Sequence, residues 1–166
     1  MVNRQMILWI AGVIIVAIAA WMFAMPGEEK KVKKQFSKLC SQLNKESNEG
    51  ILDTAFKLRR TGALFAPKCT VTMSEAWLNG TTDGSTLVAQ GFQGRMQFAS
   101  MNLSFSAFKI SFPGEDLARC ETIAKLAGIG PAGMKVDESR EMVWELRKIE
   151  GAWLFENISE VVVLKK

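Results

Sequence analysis

Residues 142–164 read MVWELRKIEGAWLFENISEVVVL, and this stretch decides the fold class of the chain. Met142, Trp144 and Leu146 alternate with three other side chains, two of them charged, so one side of an extended segment is apolar. A tight turn is expected at Glu150-Gly151, and the run after it is again rich in β-branched and aromatic residues. The two runs predict a long antiparallel hairpin.

The segments before this hairpin combine helical and extended patterns. Apolar residues at helical spacing predict helices over 28–47, over 48–66 with Asn48 as N-cap and Pro67 ending the helix, and over 90–102. Strands are predicted over 69–73 and 104–111, with a short strand among the turns at 79–84. The pattern of residues 117–127 fits a helix and a strand equally well. The chain is therefore predicted to be α+β.

The N-terminal stretch MILWIAGVIIVAIAAWMFAM, residues 6–25, contains no charged side chain. A helix of this length spans about 30 Å, the thickness of a bilayer's hydrocarbon core. Trp9 and Trp21 lie near its ends, where indole rings favour the headgroup region, and Pro26 ends it. We therefore expect a short tail at 1–5, a transmembrane helix at 6–25 and one domain at 26–166. A cleaved signal peptide is the alternative, although the apolar run is longer than a signal-peptide core.

The orientation of this helix stays open. Only Arg4 and the α-amine precede it, whereas five lysines follow closely: Lys30, Lys31, Lys33, Lys34 and Lys38. The positive-inside rule places the domain in the cytoplasm, yet folded domains can translocate despite their charge. The layout is broadly similar to bitopic envelope proteins such as the channel subunits of type IV secretion. On that similarity we expect a bacterial inner-membrane protein with its domain in the periplasm.

Composition excludes several classes of function. The net charge of +4 is dispersed among paired lysines and glutamates, which argues against nucleic acid as a partner. Histidine is absent, and Cys40, Cys69 and Cys120 are too few and too far apart for a structural zinc site. We therefore expect no metal and no cofactor, and we expect the cysteines to be buried free thiols.

Four local sequences carry a family resemblance: LFAPKCTV at 64–71, Gly91 at the start of the third predicted helix, DLARC at 116–120 and KIEGAWL at 148–154. Together with the order of the elements, they resemble the nuclear transport factor 2-like superfamily, which includes SnoaL-like proteins and ketosteroid isomerases. The resemblance implies three helices packed on a curved, mostly antiparallel sheet that forms a cone with an apolar pocket. It also implies that residues 117–127 form a strand.

Large and apolar side chains are the candidates for lining such a pocket. We expect Trp77, Phe98, Cys120, Trp144 and Trp153 to line it. Ordinary core packing is the alternative interpretation of the same residues. A small hydrophobic molecule is the ligand that such a lining would accept.

The sequence offers little for catalysis. The polar residues that resembling enzymes set in the pocket are Asp, His or Tyr, and the chain has neither His nor Tyr. Asp53, Glu121 and Glu145 are candidate bases by position alone, and we favour a surface location for each. No nucleophile elbow or phosphate-binding loop is present, and the glycine-rich residues 128–133 are typical of a hairpin loop.

Two functions follow from these observations. The first is a membrane-anchored, non-catalytic interaction or scaffold domain of the cell envelope, which would pair with itself or with an envelope partner beside the lipid bilayer. The alternative is a pocket that binds a small hydrophobic ligand or performs a SnoaL-like reaction. The absence of catalytic signatures favours a protein that is not an enzyme.

Overall fold

A computed structural model describes residues 27–74 and 79–161 of the 166-residue chain. The predicted transmembrane helix at 6–25 lies outside these residues. Within them, no helix is long and apolar enough to cross a membrane. The elements in chain order are α1 (27–43), α2 (Ile51–Gly62), β1 (Phe65–Thr72), β2 (Gly80–Asp83), α3 (Gly84–Met96), β3 (Ser100–Gly114), β4 (Leu117–Ile129), β5 (Lys135–Ile149) and β6 (Ala152–Glu160).

The strands form one mixed sheet in the order β2-β1-β6-β5-β4-β3. Only the pairing of β1 with β6 is parallel, and the other four pairings are antiparallel. The three helices pack on the concave side of this curved sheet, which gives the α+β cone that the family resemblance implied. A 3₁₀ turn, Pro131–Gly133, joins β4 to β5 in the glycine-rich loop.

The predicted antiparallel hairpin is confirmed as β5 and β6. Ile149 pairs with Ala152 across a two-residue turn in which Glu150 has φ +50° and Gly151 has φ +79°. Two positive φ values are characteristic of a type I′ turn, whose twist matches that of the flanking strands. The alternating residues Met142, Trp144 and Leu146 are buried on one side of β5, as predicted.

The ambiguous stretch at 117–127 is a strand, as the family resemblance implied. β4 pairs along its whole length with β3 on one side and β5 on the other. Its inward residues are small, namely Ala118, Cys120 and Thr122, so its own sequence does not distinguish a strand from a helix. The neighbouring strands supply the hydrogen bonds that decide between them.

The predicted boundaries of α2 were wrong. The helix begins after Gly50, not after Asn48, and it ends at Gly62. Phe65 and Pro67 belong to β1 instead. A proline is tolerated in β1 because the pairing with β6 is interrupted between Phe65 and Thr70, so no ladder hydrogen bond is lost at Pro67.

The predicted start of α3 was also wrong, since the helix begins at Gly84 rather than near Gly91. The Asp83 carboxylate caps it by accepting hydrogen bonds from the Thr86 backbone N–H at 3.0 Å and from the Ser85 hydroxyl. These hydrogen bonds, that from Ser85 foremost, lower the pKa of Asp83 to about 2. An ionised N-cap is favourable beside the positive end of the helix dipole.

Candidate functional site

The concave side of the sheet has a densely packed end. Phe36 of α1 is the centre of an aromatic cluster there, with ring centroids 5.0 to 5.4 Å from those of Phe105, Phe108, Trp144 and Phe155. Every one of these four contacts is edge-to-face, the geometry that aromatic quadrupoles favour. This cluster closes the cone at the end where α1 begins.

The other end of the concave side contains a cavity of about 720 Å³. α1, α2 and α3 contribute to one wall and β1, β3, β4, β5 and β6 to the other. The lining is predominantly aliphatic and aromatic: Leu39, Leu43, Phe65, Val71, Met73, Leu87, Val88, Phe98, Leu103, Phe105, Ala124, Leu126, Met134, Val136, Met142, Trp144 and Ile158. A volume of this size lies within the usual range for small-molecule sites.

The polar groups in the deep part of this cavity are already hydrogen-bonded within the protein. The Thr61 hydroxyl donates to the Lys57 carbonyl oxygen at 2.8 Å, within its own helix. The Trp144 indole N–H donates to the buried Thr122 hydroxyl at 3.0 Å, beneath the cavity wall. A ligand group that needed a hydrogen bond at this depth would therefore compete with bonds already made.

The charged lining residues lie at the opening of the cavity. Arg140 donates to Glu160 Oε1 at 3.2 Å and to Glu138 Oε2 at 3.3 Å. Glu160 also accepts from the Ser74 hydroxyl at 2.6 Å and from the Ser74 backbone N–H at 2.9 Å. These bonds from Ser74, supported by Arg140, lower the pKa of Glu160. Glu138 is the exposed member of the cluster, with 59% of its side chain accessible.

The structure brings two of the five sequence-predicted pocket residues together. Phe98, between α3 and β3, and Trp144 of β5 both line the cavity. Cys120 and Trp153 are buried toward the packed end instead, where the Trp153 indole N–H donates to Glu28 at 2.7 Å. Trp77 lies outside the described residues.

The three candidate carboxylates do not face the cavity. The side chains of Glu121 and Glu145 lie on the convex side of the sheet. Glu121 Oε2 is 3.9 Å from Lys109 Nζ, and Glu145 Oε1 is 3.5 Å from Arg119 Nη1. Asp53 belongs to a separate polar groove between α1 and α2. Alternation along a strand explains the first two, because neighbouring residues face opposite sides of the sheet.

The cysteines are free thiols, and two of them are fully buried. Burial raises the pKa of Cys69 to about 11 and that of Cys120 to about 12. Both thiols therefore stay protonated at neutral pH, which makes them poor nucleophiles and poor metal ligands. Within residues 27–74 and 79–161, no cluster of His, Cys, Asp or Glu could hold a metal ion.

A buried arginine that sequence reasoning missed fixes the helical wall of the cavity. Arg95 of α3 donates to the carbonyl oxygens of Leu43 at 2.7 Å and Asn44 at 2.9 Å, and it pairs with Glu49. These bonds satisfy carbonyl groups at the end of α1, which the helix itself leaves without partners. One sequence signal of this role is the spacing of Arg95, which follows Val88 and Phe92 on the buried side of α3.

The chain resembles solved structures in fold, but its sequence matches no known family. No family model and no curated protein matches the sequence. The structure is similar to hexachlorocyclohexane dehydrochlorinase LinA-type3 from Novosphingobium barchaimii LL02, with a TM-score of 0.65, 9% identity and coverage of 82% of this chain and 87% of that chain. It is also similar to a nuclear transport factor 2-like protein with a cystatin-like fold from Novosphingobium aromaticivorans. The TM-score is 0.63, the identity is 7%, and the match covers 100% of this chain and 94% of that chain.

The domain has the nuclear transport factor 2-like, cystatin-like fold. A third similar structure is a candidate scytalone dehydratase from Novosphingobium aromaticivorans DSM 12444, with a TM-score of 0.65, 14% identity and coverage of 86% of this chain and 89% of that chain. At such identities the likeness establishes the fold alone. The chemistry of the cavity has to be argued from the residues of this chain.

Proposed function

We propose that this domain binds a small apolar molecule in its cavity without converting it chemically. The observation that carries the proposal is the cavity of about 720 Å³, which has an apolar interior and has its charged groups only at the opening. Binding there would remove apolar ligand surface from water, which is favourable by about 25 cal/mol for each Å². The cavity is already formed by packed elements, so little ordering cost opposes binding.

The distribution of ionisable groups supports binding over catalysis. A general base must lie within about 3 Å of the proton that it removes. Among the described lining residues, only Glu138 and Arg140 are ionisable, and they are paired with each other at the opening. The names of two similar structures refer to a dehydrochlorinase and a dehydratase, but this chain has no histidine or tyrosine to supply such chemistry.

We further propose that the predicted helix at residues 6–25 holds this pocket at a bacterial inner membrane. The support is the uncharged, bilayer-length sequence. The periplasmic location, self-association and the scaffold role stay predictions. Alkaline phosphatase fused after Lys166 tests the location, because the enzyme is active only outside the cytoplasm. Active fusions support a periplasmic domain, and inactive but stable fusions contradict it.

The binding proposal is tested with a neutral hydrocarbon probe that carries a photoreactive diazirine. The full chain is placed in phosphatidylcholine nanodiscs and irradiated, and the labelled peptides are quantified by mass spectrometry. Ala124→Trp fills the cavity, whereas Ile123→Trp adds the same bulk on the convex side of the same strand. We expect Ala124→Trp to remove most labelling of the peptides that line the cavity and Ile123→Trp to leave it unchanged.

Equal labelling in the two variants, or no labelling of cavity peptides in the unmodified chain, contradicts the proposal. Circular dichroism of both variants establishes that they fold. If Ala124→Trp does not fold, Leu126→Trp replaces it, with Ala127→Trp as its partner on the opposite face of β4.

A further inference from the structure

The opening of the cavity carries more negative than positive charge. Arg140 is the one cation among the described lining residues, and both Glu138 and Glu160 pair with it. The three groups together carry a net charge of −1. Glu160 is held by Ser74 as well as by Arg140, so it is ionised and fixed in place. Glu138 is held by Arg140 alone among the bonds at this opening and remains largely exposed.

The interior fixes the orientation in which a ligand can enter. Of the described lining residues that are buried, Thr61 and Trp144 carry a polar side-chain donor, and both donate to protein oxygens, so neither is free to donate to a ligand. A polar group buried there would lose its hydrogen bonds to water without replacement. An amphipathic ligand therefore keeps its polar end at the opening and its hydrocarbon toward Trp144.

From these two observations we propose that the ligand is an apolar molecule whose polar end donates hydrogen bonds, an alcohol or an amine rather than a carboxylate, and that this end lies against Glu138. The inference rests on the proposed function, since it concerns the same cavity. A carboxylate accepts hydrogen bonds and is negative, so it would meet Glu138 and Glu160 at an opening where Arg140, the one cation among the described lining residues, already pairs with both. A hydroxyl or ammonium group instead donates to the exposed carboxylate of Glu138.

The test is competition against the neutral diazirine probe by three molecules with the same hydrocarbon chain: dodecanol, dodecylamine and dodecanoate. The full chain is used in phosphatidylcholine nanodiscs, at a pH well above the pKa of the fatty acid. We expect the alcohol and the amine to displace the probe from cavity peptides at concentrations about fivefold lower than the carboxylate, the effect of one unfavourable charge near a protein surface.

Two variants separate the opening from partition into the bilayer. Glu138→Gln removes one negative charge at the opening, and Glu141→Gln removes one from the convex face of the same strand. Each competitor partitions into lipid to the same extent with either variant. A change in the ratio of the competing concentrations of carboxylate and alcohol therefore reflects the charge at the opening. We expect Glu138→Gln to bring the carboxylate within about twofold of the alcohol. Glu141→Gln should preserve the wild-type ratio.

Three results overturn this inference or its basis. Dodecanoate that competes as well as dodecanol in the wild type contradicts the preference for a donor. A ratio that Glu138→Gln does not change contradicts the role of Glu138. Failure of the neutral probe to label the cavity in any protein overturns the proposed function and this inference together, and it is distinguished from the other two results because no competition can then be observed.

Discussion

The two faces of the sheet present opposite chemistry although they are built from the same strands. On the concave face, Met142, Trp144 and Leu146 of β5 are buried against helices or line the cavity. On the convex face, the residues between them belong to a surface of ion pairs that join neighbouring strands: Lys109 with Glu121, Arg119 with Glu145, Lys125 with Asp137, and Arg147 with Glu156. The cavity therefore lies on one side of the sheet, and the exposed ion pairs lie on the other.

A polar residue on a strand therefore has to be assigned to one face of the sheet before it is assigned a function. Glu121 and Glu145 were candidate bases by position alone, and a surface location was the favoured interpretation of each. Each lies on the convex face, in an ion pair with an arginine or a lysine. Pairs of this kind near water contribute little to stability and have no access to the cavity.

The largest expected effect compares adjacent residues on β6. Phe155 is fully buried and contacts Phe36, Phe65 and Trp144, whereas Leu154 lies half-buried on the convex face. Phe155→Ala should lower the free energy of unfolding by about 4 kcal/mol, because it leaves a void in the aromatic cluster. Leu154→Ala should lower it by about 1 kcal/mol. Urea denaturation of both variants measures the two values, and equal losses would contradict the assignment of faces.

The next effect concerns the packed end of the concave face. Glu28 accepts hydrogen bonds from Lys31 at 2.6 Å and Trp153 at 2.7 Å, and it lies 3.2 Å from Lys148. These partners, Lys31 foremost, lower the pKa of Glu28 from 4.5 to about 2. A lowered pKa in the folded state stabilises the protein above about pH 4.5, and this contribution is lost as the pH falls toward 2.

We therefore expect Glu28→Gln to cost about 1 kcal/mol at pH 7, a value that allows for the partial exposure of the site. The difference from the wild type should shrink steadily between about pH 4.5 and 2. Glu29→Gln is the matched control, since the exposed Lys33 is the one ion-pair partner of Glu29 among the described residues. A constant difference across this pH range would show that ionised Glu28 does not hold α1 to the hairpin.

The smallest effect is expected on the convex face. Lys125 and Asp137 lie 3.0 Å apart on adjacent strands, with 49% and 69% of their side chains exposed. Asp137→Asn should change the free energy of unfolding by less than about 0.5 kcal/mol, and added salt should reduce the change further. A loss of more than about 2 kcal/mol would mean that this face is buried in the assembled protein.

The sequence predicted much of the fold because strong alternation marks β5 and β6 and strong helical spacing marks α1. It missed the start of α3 because Asp83-Gly84 also suits a turn, and only the hydrogen bonds from Ser85 and Thr86 identify Asp83 as an N-cap. In α2 the large apolar side chain of Phe56 is 61% exposed. The spacing of apolar residues in the sequence does not show which side of a helix packs against another element.

The cavity was harder to predict than the fold. Phe98 and Trp144 were candidates because they are large, and the cavity that they line is also lined by Leu39 and Leu126 from distant elements. A bulge in β3 contributes to its shape: Ala107 has φ +53°, and the pairing with β4 shifts after Ser106. The three-residue step from Phe105 to Phe108 was the sequence signal for that bulge, because regular alternation would require a step of two.

The most direct test of the account is residue-level mapping of the neutral diazirine probe on the unmodified chain in nanodiscs. Within residues 27–74 and 79–161, we expect labels on the concave face, at Leu126, Met142 and Trp144. We expect no labels on Ile123 and Val143, which alternate with these residues on the convex face. Labels spread equally over both faces, or confined to the convex face, would contradict the claim that this fold encloses a site for an apolar ligand.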